Sequence, residues 1–204
     1  MKLPVFGIDR LRMNIDGVGV TTIVGTYGCP LQCKNCLNPH AWSSKTFEKT
    51  KYYTAQELYD KVKIDNLYFL ATGGGIVFGG GEPLLHADFY REFRELCGPE
   101  WRLTVETSLN VEREKVESII DVIDDYIVDI KDINPEIYET YTSKDNARVI
   151  DNLKFLLSKV DTSNICVRVP HIPEFNTDED VQKSIAFIKE LGVTLIDEFT
   201  YITN

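Results

Sequence analysis

Three cysteines, Cys29, Cys33 and Cys36, fall within eight positions at the spacing C-x3-C-x2-C. Gly28, Pro30, Asn35, Asn38 and Pro39 mark the stretch as a loop. Thiolates held this close on a turn-rich segment can converge on one metal centre. Three ligands are one short of a closed tetrahedral zinc site. They are also one short of the four cysteines that normally hold an iron–sulfur cubane. Two solutions stay open on spacing alone. Either another residue completes the site, with His40 as a candidate fourth zinc ligand, or one metal position is left for another molecule. Cys97 and Cys166 stand apart and read as small, buried or half-buried apolar residues.

Other polar residues interrupt apolar runs in ways that need a reason. Gly79-Gly80-Gly81-Glu82-Pro83 is either a flexible turn or a place where backbone must approach a ligand. Asp129 and Lys131 alternate, so both face one side of a strand, as a structural ion pair or as part of a pocket wall. Arg168 lies between Val167 and Val169, where a charge is costly unless paired. His86 and His171 read as turn or surface residues.

The hydrophobic pattern predicts the elements that carry these groups. Residues 18–24 are β-branched and bounded by glycines, which predicts a strand after the turn at Asp16-Gly17. Thr54 and Glu57 have the form of a capping box and open a helix that runs to about Val62. Ile76–Phe78 is a second strand. Leu85, Phe89, Phe93 and Leu96 then recur at helical spacing. Leu103–Glu106 is a third strand, and Val116, Ile119, Ile120 and Ile123 stripe the next helix. Tyr126–Ile130 is a fourth, followed by helical patterns over 135–142 and 147–158. Ile165–Val169 is a fifth, closed by Pro170. Thr177 caps a last helix with Val181, Ile185 and Ile188 inward, and 194–201 holds a sixth strand.

Strand followed by helix, about six times over, predicts an α/β fold with a parallel sheet. Six strands fall short of the eight that close a barrel, so the expected architecture is a partial (βα)6 TIM-like barrel forming one domain over 1–204. The interval between the cysteine loop and Gly73 has room for an extra helix or a lid. Each polar feature follows a strand: the cysteines the first, Gly80-Gly81-Glu82 the second, Glu106 and Thr107 the third. Asp129 and Lys131 end the fourth, Arg168 the fifth and Tyr201 the sixth. In parallel α/β folds the C-terminal strand ends form the functional face, so all of them are predicted to meet there.

The 204 residues are 43% apolar and 26% charged, an ordinary globular balance. A net charge of −10 with no basic, aromatic-interleaved stripe leaves no footprint for nucleic acid. There is neither an apolar run of membrane-spanning length nor a charged-then-apolar leader, which predicts a cytoplasmic protein without a membrane partner. Three clustered cysteines out of five suit a reducing compartment and a metal site rather than a disulfide framework.

Taken together, the motifs resemble those of the radical S-adenosylmethionine (radical SAM) superfamily. Cys29-x3-Cys33-x2-Cys36 matches its cluster motif, and Gly80-Gly81-Glu82-Pro83 matches its GGEP motif. Within the superfamily the chain is most similar to the activating enzymes of glycyl-radical enzymes, the pyruvate formate-lyase activase type. Asp16-Gly17-x-Gly19, Asn38, the D-x-K run Asp129-Ile130-Lys131 and Arg168 carry that likeness, which covers roughly residues 7–202. Asn35 stands where the family often has an aromatic residue, and Gly79 where it has Ser or Thr. The histidine that activases place near SAM has no clear match at the C-terminus. Residues 41–72 contain no cysteine, so only the minimal single-cluster type is compatible.

The resemblance implies a site-differentiated [4Fe–4S] cluster held by Cys29, Cys33 and Cys36, with SAM chelating the fourth iron. An electron then cleaves SAM to a 5′-deoxyadenosyl radical that abstracts hydrogen from a substrate. Gly80, Gly81 and Glu82 would lie at the methionine amino group, received by the Gly80 and Gly81 carbonyls. Glu106 and Thr107 would serve the ribose side or a cation. Asp129, Lys131 and Arg168 would face the methionine and ribose, and Asn35 and Leu37 backbone would bracket the adenine. The implied partners are a glycyl-radical enzyme and a flavodoxin- or ferredoxin-type electron donor. Two alternatives compete: radical SAM chemistry on a small molecule or peptide, and a zinc-binding interaction module using the three cysteines with His40.

Overall fold

The computed structural model describes residues 1–13 and 15–201; the expected single domain also takes in residues 14 and 202–204, outside the described residues. In chain order the elements are β1 (Leu3–Met13), β2 (Val20–Thr26), α1 (Ser44–Phe47), β3 (Lys51–Tyr53), α2 (Ala55–Val62), α3 (Asn66–Thr72), β4 (Gly75–Gly80), α4 (Tyr90–Cys97) and β5 (Arg102–Thr107). There follow α5 (Arg113–Glu117), β6 (Asp125–Asp129), α6 (Pro135–Thr142), α7 (Ala147–Leu157), β7 (Ile165–His171), α8 (Asp178–Glu190) and β8 (Leu195–Thr200).

One sheet runs in the order β3-β1-β2-β4-β5-β6-β7-β8. From β2 to β8 every neighbouring pair is parallel, so the six strands expected from the apolar runs form the body of an unclosed barrel. Strands covered on both faces read as continuous apolar runs, and Ile76, Val77 and Phe78 of β4 are fully buried. Phe78 meets Tyr90 at 4.7 Å and Phe93 at 5.5 Å between ring centroids, seating α4 on the sheet. The glycine segment between β4 and α4 is thereby fixed from both ends.

Several sequence expectations need correction. β1 and β3 were absent from the pattern, and both pair antiparallel: β1 with β2, and β3 with β1. Pro4 and Gly7 break the alternation in β1 that would mark it as a strand. The interval before Gly73 does hold extra helices, α1 and α3 beside the expected α2, together with a 3-10 turn (Pro39–Trp42) and the unforeseen β3. Leu85 is 39% exposed, because Pro83–Phe89 forms a 3-10 turn and the buried stripe shifts to Leu84, Ala87, Phe89 and Phe93. Helix α5 stops at Glu117, so Ile119 and Ile123 are buried from a following irregular stretch. Pro170 does not end β7; it lies beyond the last β6 rung, Asp129–Arg168, where β7 pairs with β8 alone. The expected capping box is present at Thr54–Glu57, and the expected cap Thr177 proves to form a second box with Asp180. No helix among the described residues is long and apolar enough to cross a membrane.

Asp65, which is buried, clasps the first strands to the helices beside them. It pairs with both the Nε and Nη2 of Arg10 on β1, and accepts from the Thr22 hydroxyl on β2 at 2.9 Å. The hydrogen bond from Arg10 holds its carboxyl below the usual value. A depressed folded pKa stabilises at neutral pH, and that contribution is lost as pH falls through the folded value. Asp65→Ala is expected to cost about 1–3 kcal/mol in urea unfolding at neutral pH, since Thr22 and Arg10 lose their acceptor. The gap from wild type should shrink on acidification; an unchanged urea midpoint at neutral pH would show that the clasp contributes nothing.

Candidate active site

The cysteine loop leaves β2 and is held by backbone hydrogen bonds on two sides. Glu82 N–H donates to the Gly28 carbonyl at 2.7 Å, and Gly81 N–H to the Thr26 carbonyl at 3.1 Å. On the other side, Gln32 and Lys34 N–H groups donate to the Thr142 and Tyr141 carbonyls at 3.0 and 3.1 Å, using orphan carbonyls at the end of α6. The glycine run supplies the close approach. Gly80 has φ +85, and a Cβ there would meet the Phe6 ring at 2.8 Å. A Cβ on Gly81 would lie 2.3 Å from the Gly28 carbonyl oxygen. At Gly81 glycine is needed because the start of the cysteine loop passes against it, and at Gly80 because of its positive φ.

Cys29, Cys33 and Cys36 line one cleft. Of the residues predicted for the site, all but Asn35 and Arg168 line this cleft. Arg168 lines a second, broader cleft with Phe6, Arg12, Asp16 and Ile23, and the two clefts share Leu37, Asn38, Gly80 and Glu106. Ser108 and Tyr141 line the first cleft and were not foreseen. Ser108 follows Thr107 directly and could have been found from its place at the end of β5. Tyr141 comes from a helix, and no strand-end rule points to it.

Glu82 organises the wall between β4 and β5. It is 1% exposed, and its carboxylate accepts from the Thr107 hydroxyl at 2.6 Å, the Ser108 hydroxyl at 2.6 Å, Ser108 N–H at 2.9 Å and Leu84 N–H at 3.2 Å. Burial pushes its pKa up, while these four donors pull it back. Lys131 is also buried, and donates to Asp129 at 3.0 Å and to the Tyr201 hydroxyl at 2.6 Å. Burial opposes its charge, but Asp129, Tyr201 and Cys33 outweigh this and raise its pKa. The ion-pair and pocket readings of Asp129 and Lys131 therefore hold together. Arg168 pairs with Glu106 and Asp197 and donates to the Ile15 carbonyl at 3.1 Å, which supplies the partners its place in β7 requires.

Burial disfavours ionisation of two of the thiols, Cys29 and Cys33. Burial, helped by Glu82, raises the Cys29 pKa to about 12; burial raises Cys33 to about 11 even with Lys131 nearby. Among the described residues no three His, Cys, Asp or Glu side chains close around a single point. A single zinc would require that, with sulfurs about 2.3 Å from one metal. His40 is exposed, and its Nδ1 faces the Thr46 hydroxyl at 3.5 Å rather than the cleft. The zinc reading thus lacks its fourth ligand. His86 is half-buried, with Nε2 2.9 Å from the Tyr27 carbonyl, so it is a turn residue with a structural contact.

An unclosed parallel barrel with three thiols, a glycine wall and mixed carboxylates and cations at its C-terminal strand ends is an enzyme scaffold for a metal-dependent cofactor. Residues 23–188 match the model of the radical SAM superfamily. The chain is 35% identical over 199 residues to the pyruvate formate-lyase-activating enzyme of Listeria monocytogenes serovar 1/2a, covering 93% of this chain and 78% of that protein. It is 34% identical over 249 residues to the (2S)-3-sulfopropanediol dehydratase activating enzyme of Klebsiella oxytoca, covering 92% and 78%. The crystal structure of Streptococcus suis SuiB shares the fold, with a TM-score of 0.67 at 13% identity over 90% of this chain and 40% of SuiB. The chain belongs to the radical SAM superfamily. Membership implies a [4Fe–4S] cluster and SAM, and the donor set fits both: soft thiolates for iron and charges of both signs for a zwitterionic sulfonium.

Burial, then the Asp129 carboxylate, push Glu106 up to about 7 in spite of Arg168. A raised folded pKa stabilises below the ordinary value near 4.5, and the contribution is lost as pH rises through about 7. Between those limits the protein without added cofactor is expected to lose stability relative to Glu106→Gln, read by chemical unfolding across pH. Parallel curves for the two proteins would show that Glu106 is not raised.

Proposed function

We propose that this protein is an activating enzyme that installs a radical on a glycine of a partner glycyl-radical enzyme. The observation that carries this reading is the 35% identity to an activating enzyme across 93% of the chain. In support, most of the motif residues line two adjoining clefts that share Leu37, Asn38, Gly80 and Glu106.

Cys29, Cys33 and Cys36 would hold the cluster. Gly80 and Gly81 would receive the methionine amino group of SAM through their carbonyls, with Glu82 keeping that strand end in place. Glu106 and Thr107 would serve the ribose side or a cation, Asp129, Lys131 and Arg168 the methionine and ribose, and Asn35 and Leu37 backbone the adenine. When bound, cluster and SAM supply one-electron cleavage of the sulfonium and the hydrogen-abstracting radical; the chain supplies placement and exclusion of water. A flavodoxin- or ferredoxin-type donor would provide the electron.

Anaerobically reconstituted and reduced protein is expected to convert SAM to 5′-deoxyadenosine and methionine, and to generate a glycyl-radical EPR signal on the partner enzyme. Cys29→Ala, Cys33→Ala and Cys36→Ala are each expected to lose the complete cluster and the cleavage. Absence of SAM cleavage by the loaded wild type would sink the radical chemistry. Cleavage without a radical on any glycyl-radical partner, together with turnover of a small molecule or peptide, would sink the activating role alone.

A further inference from the structure

The last turn of α6 contributes more than two carbonyls to the cysteine loop. The Tyr141 side chain is 1% exposed and lines the same cleft as the three cysteines. It forms a small apolar group with Ile172 and Tyr201, against which Cys33 packs. Its hydroxyl has no hydrogen-bond partner among the described residues. Tyr201 differs, because its hydroxyl receives the Lys131 ammonium at 2.6 Å.

A buried hydroxyl without an acceptor is a cost that phenylalanine would avoid at the same volume. The proton of Tyr141 makes physical sense once an acceptor enters the cleft beside Cys33. Cysteine and inorganic sulfur of an iron–sulfur cluster are such acceptors, and hydrogen bonds to sulfur stabilise the more negative, reduced state.

We propose that Tyr141 is a positioning residue for the cluster: its phenol donates a hydrogen bond to sulfur at the Cys33 corner and raises the reduction potential there. The inference rests on the reading of Cys29, Cys33 and Cys36 as the cluster ligands. One turn of helix then sets the loop's path through its backbone and the cluster's electron affinity through its side chain.

The test compares wild type, Tyr141→Phe and Tyr138→Phe, each reconstituted anaerobically with iron and sulfide and titrated by EPR of the reduced cluster. Tyr138 also has a buried hydroxyl without a partner, but its ring packs in the main core and does not line the cleft. Tyr141→Phe is expected to bind the same iron and sulfide, with about a tenfold lower ratio of reduced to oxidised cluster at a fixed poise. For one electron that is a potential about 59 mV more negative. Tyr138→Phe should match wild type. Deuterium ENDOR after exchange into heavy water should show a deuteron at hydrogen-bond distance from the wild-type cluster that Tyr141→Phe lacks. Equal potentials and equal deuteron couplings in wild type and Tyr141→Phe would overturn the proposal and leave the cluster ligands intact. A wild type that assembles no [4Fe–4S] cluster would overturn the ligand reading, and the proposal with it. If Tyr141→Phe loads no cluster, wild-type ENDOR decides alone, and absence of a close exchangeable deuteron overturns the proposal.

Discussion

The Glu82 carboxylate joins stretches of backbone that have no other reason to meet. It gathers the end of β5 through Thr107 and Ser108, and its own N–H holds the Gly28 carbonyl at the start of the cysteine loop. A buried carboxyl group without a cation partner is tolerable only when its lone pairs are filled. Four donors fill them here, three of them from Thr107 and Ser108, which follow one another in the chain. The cleft's shape depends on this arrangement. Without it, the glycine segment could not rest against the loop, and the thiols would lose the wall they face.

The charges around the cleft form two linked sets. Lys131 bridges Asp129 and Tyr201 under Cys33, while Arg168 bridges Glu106 and Asp197 at the edge shared with the second cleft. Lys131 meets one carboxylate, whereas Arg168 meets two. The imbalance shows in Glu106, driven upward by burial and Asp129 although Arg168 touches it. A ligand carrying positive charge relieves that strain and one carrying only negative charge aggravates it.

Much of this was legible in the sequence because β-branched runs and glycine breaks mark parallel strands one by one. Strand ends could be located to within a residue or two, and the rule that chemistry collects at C-terminal ends then grouped the cysteines, Glu82, Glu106, Asp129 and Lys131. What escaped had physical reasons. β1 carries Pro4 and Gly7 and alternates poorly, so the antiparallel hairpin that extends the barrel wall was invisible. Ile119 and Ile123 are buried without a helix, since apolar spacing records burial, not hydrogen bonding. Tyr141 reaches the cleft because α6 ends there, a tertiary fact that no local pattern encodes.

The attachment of the cysteine loop at both of its sides has a consequence for assembly. Small metal domains often fold only as the metal binds, because ordering the ligand loop consumes the binding energy. Here Gly28, Gln32 and Lys34 are fastened by bonds made with the rest of the fold, so the ordering entropy is settled when the chain folds. Binding energy at the thiols is then available for affinity instead of folding. The path of the loop is therefore a property of the folded chain and does not depend on what the thiols hold.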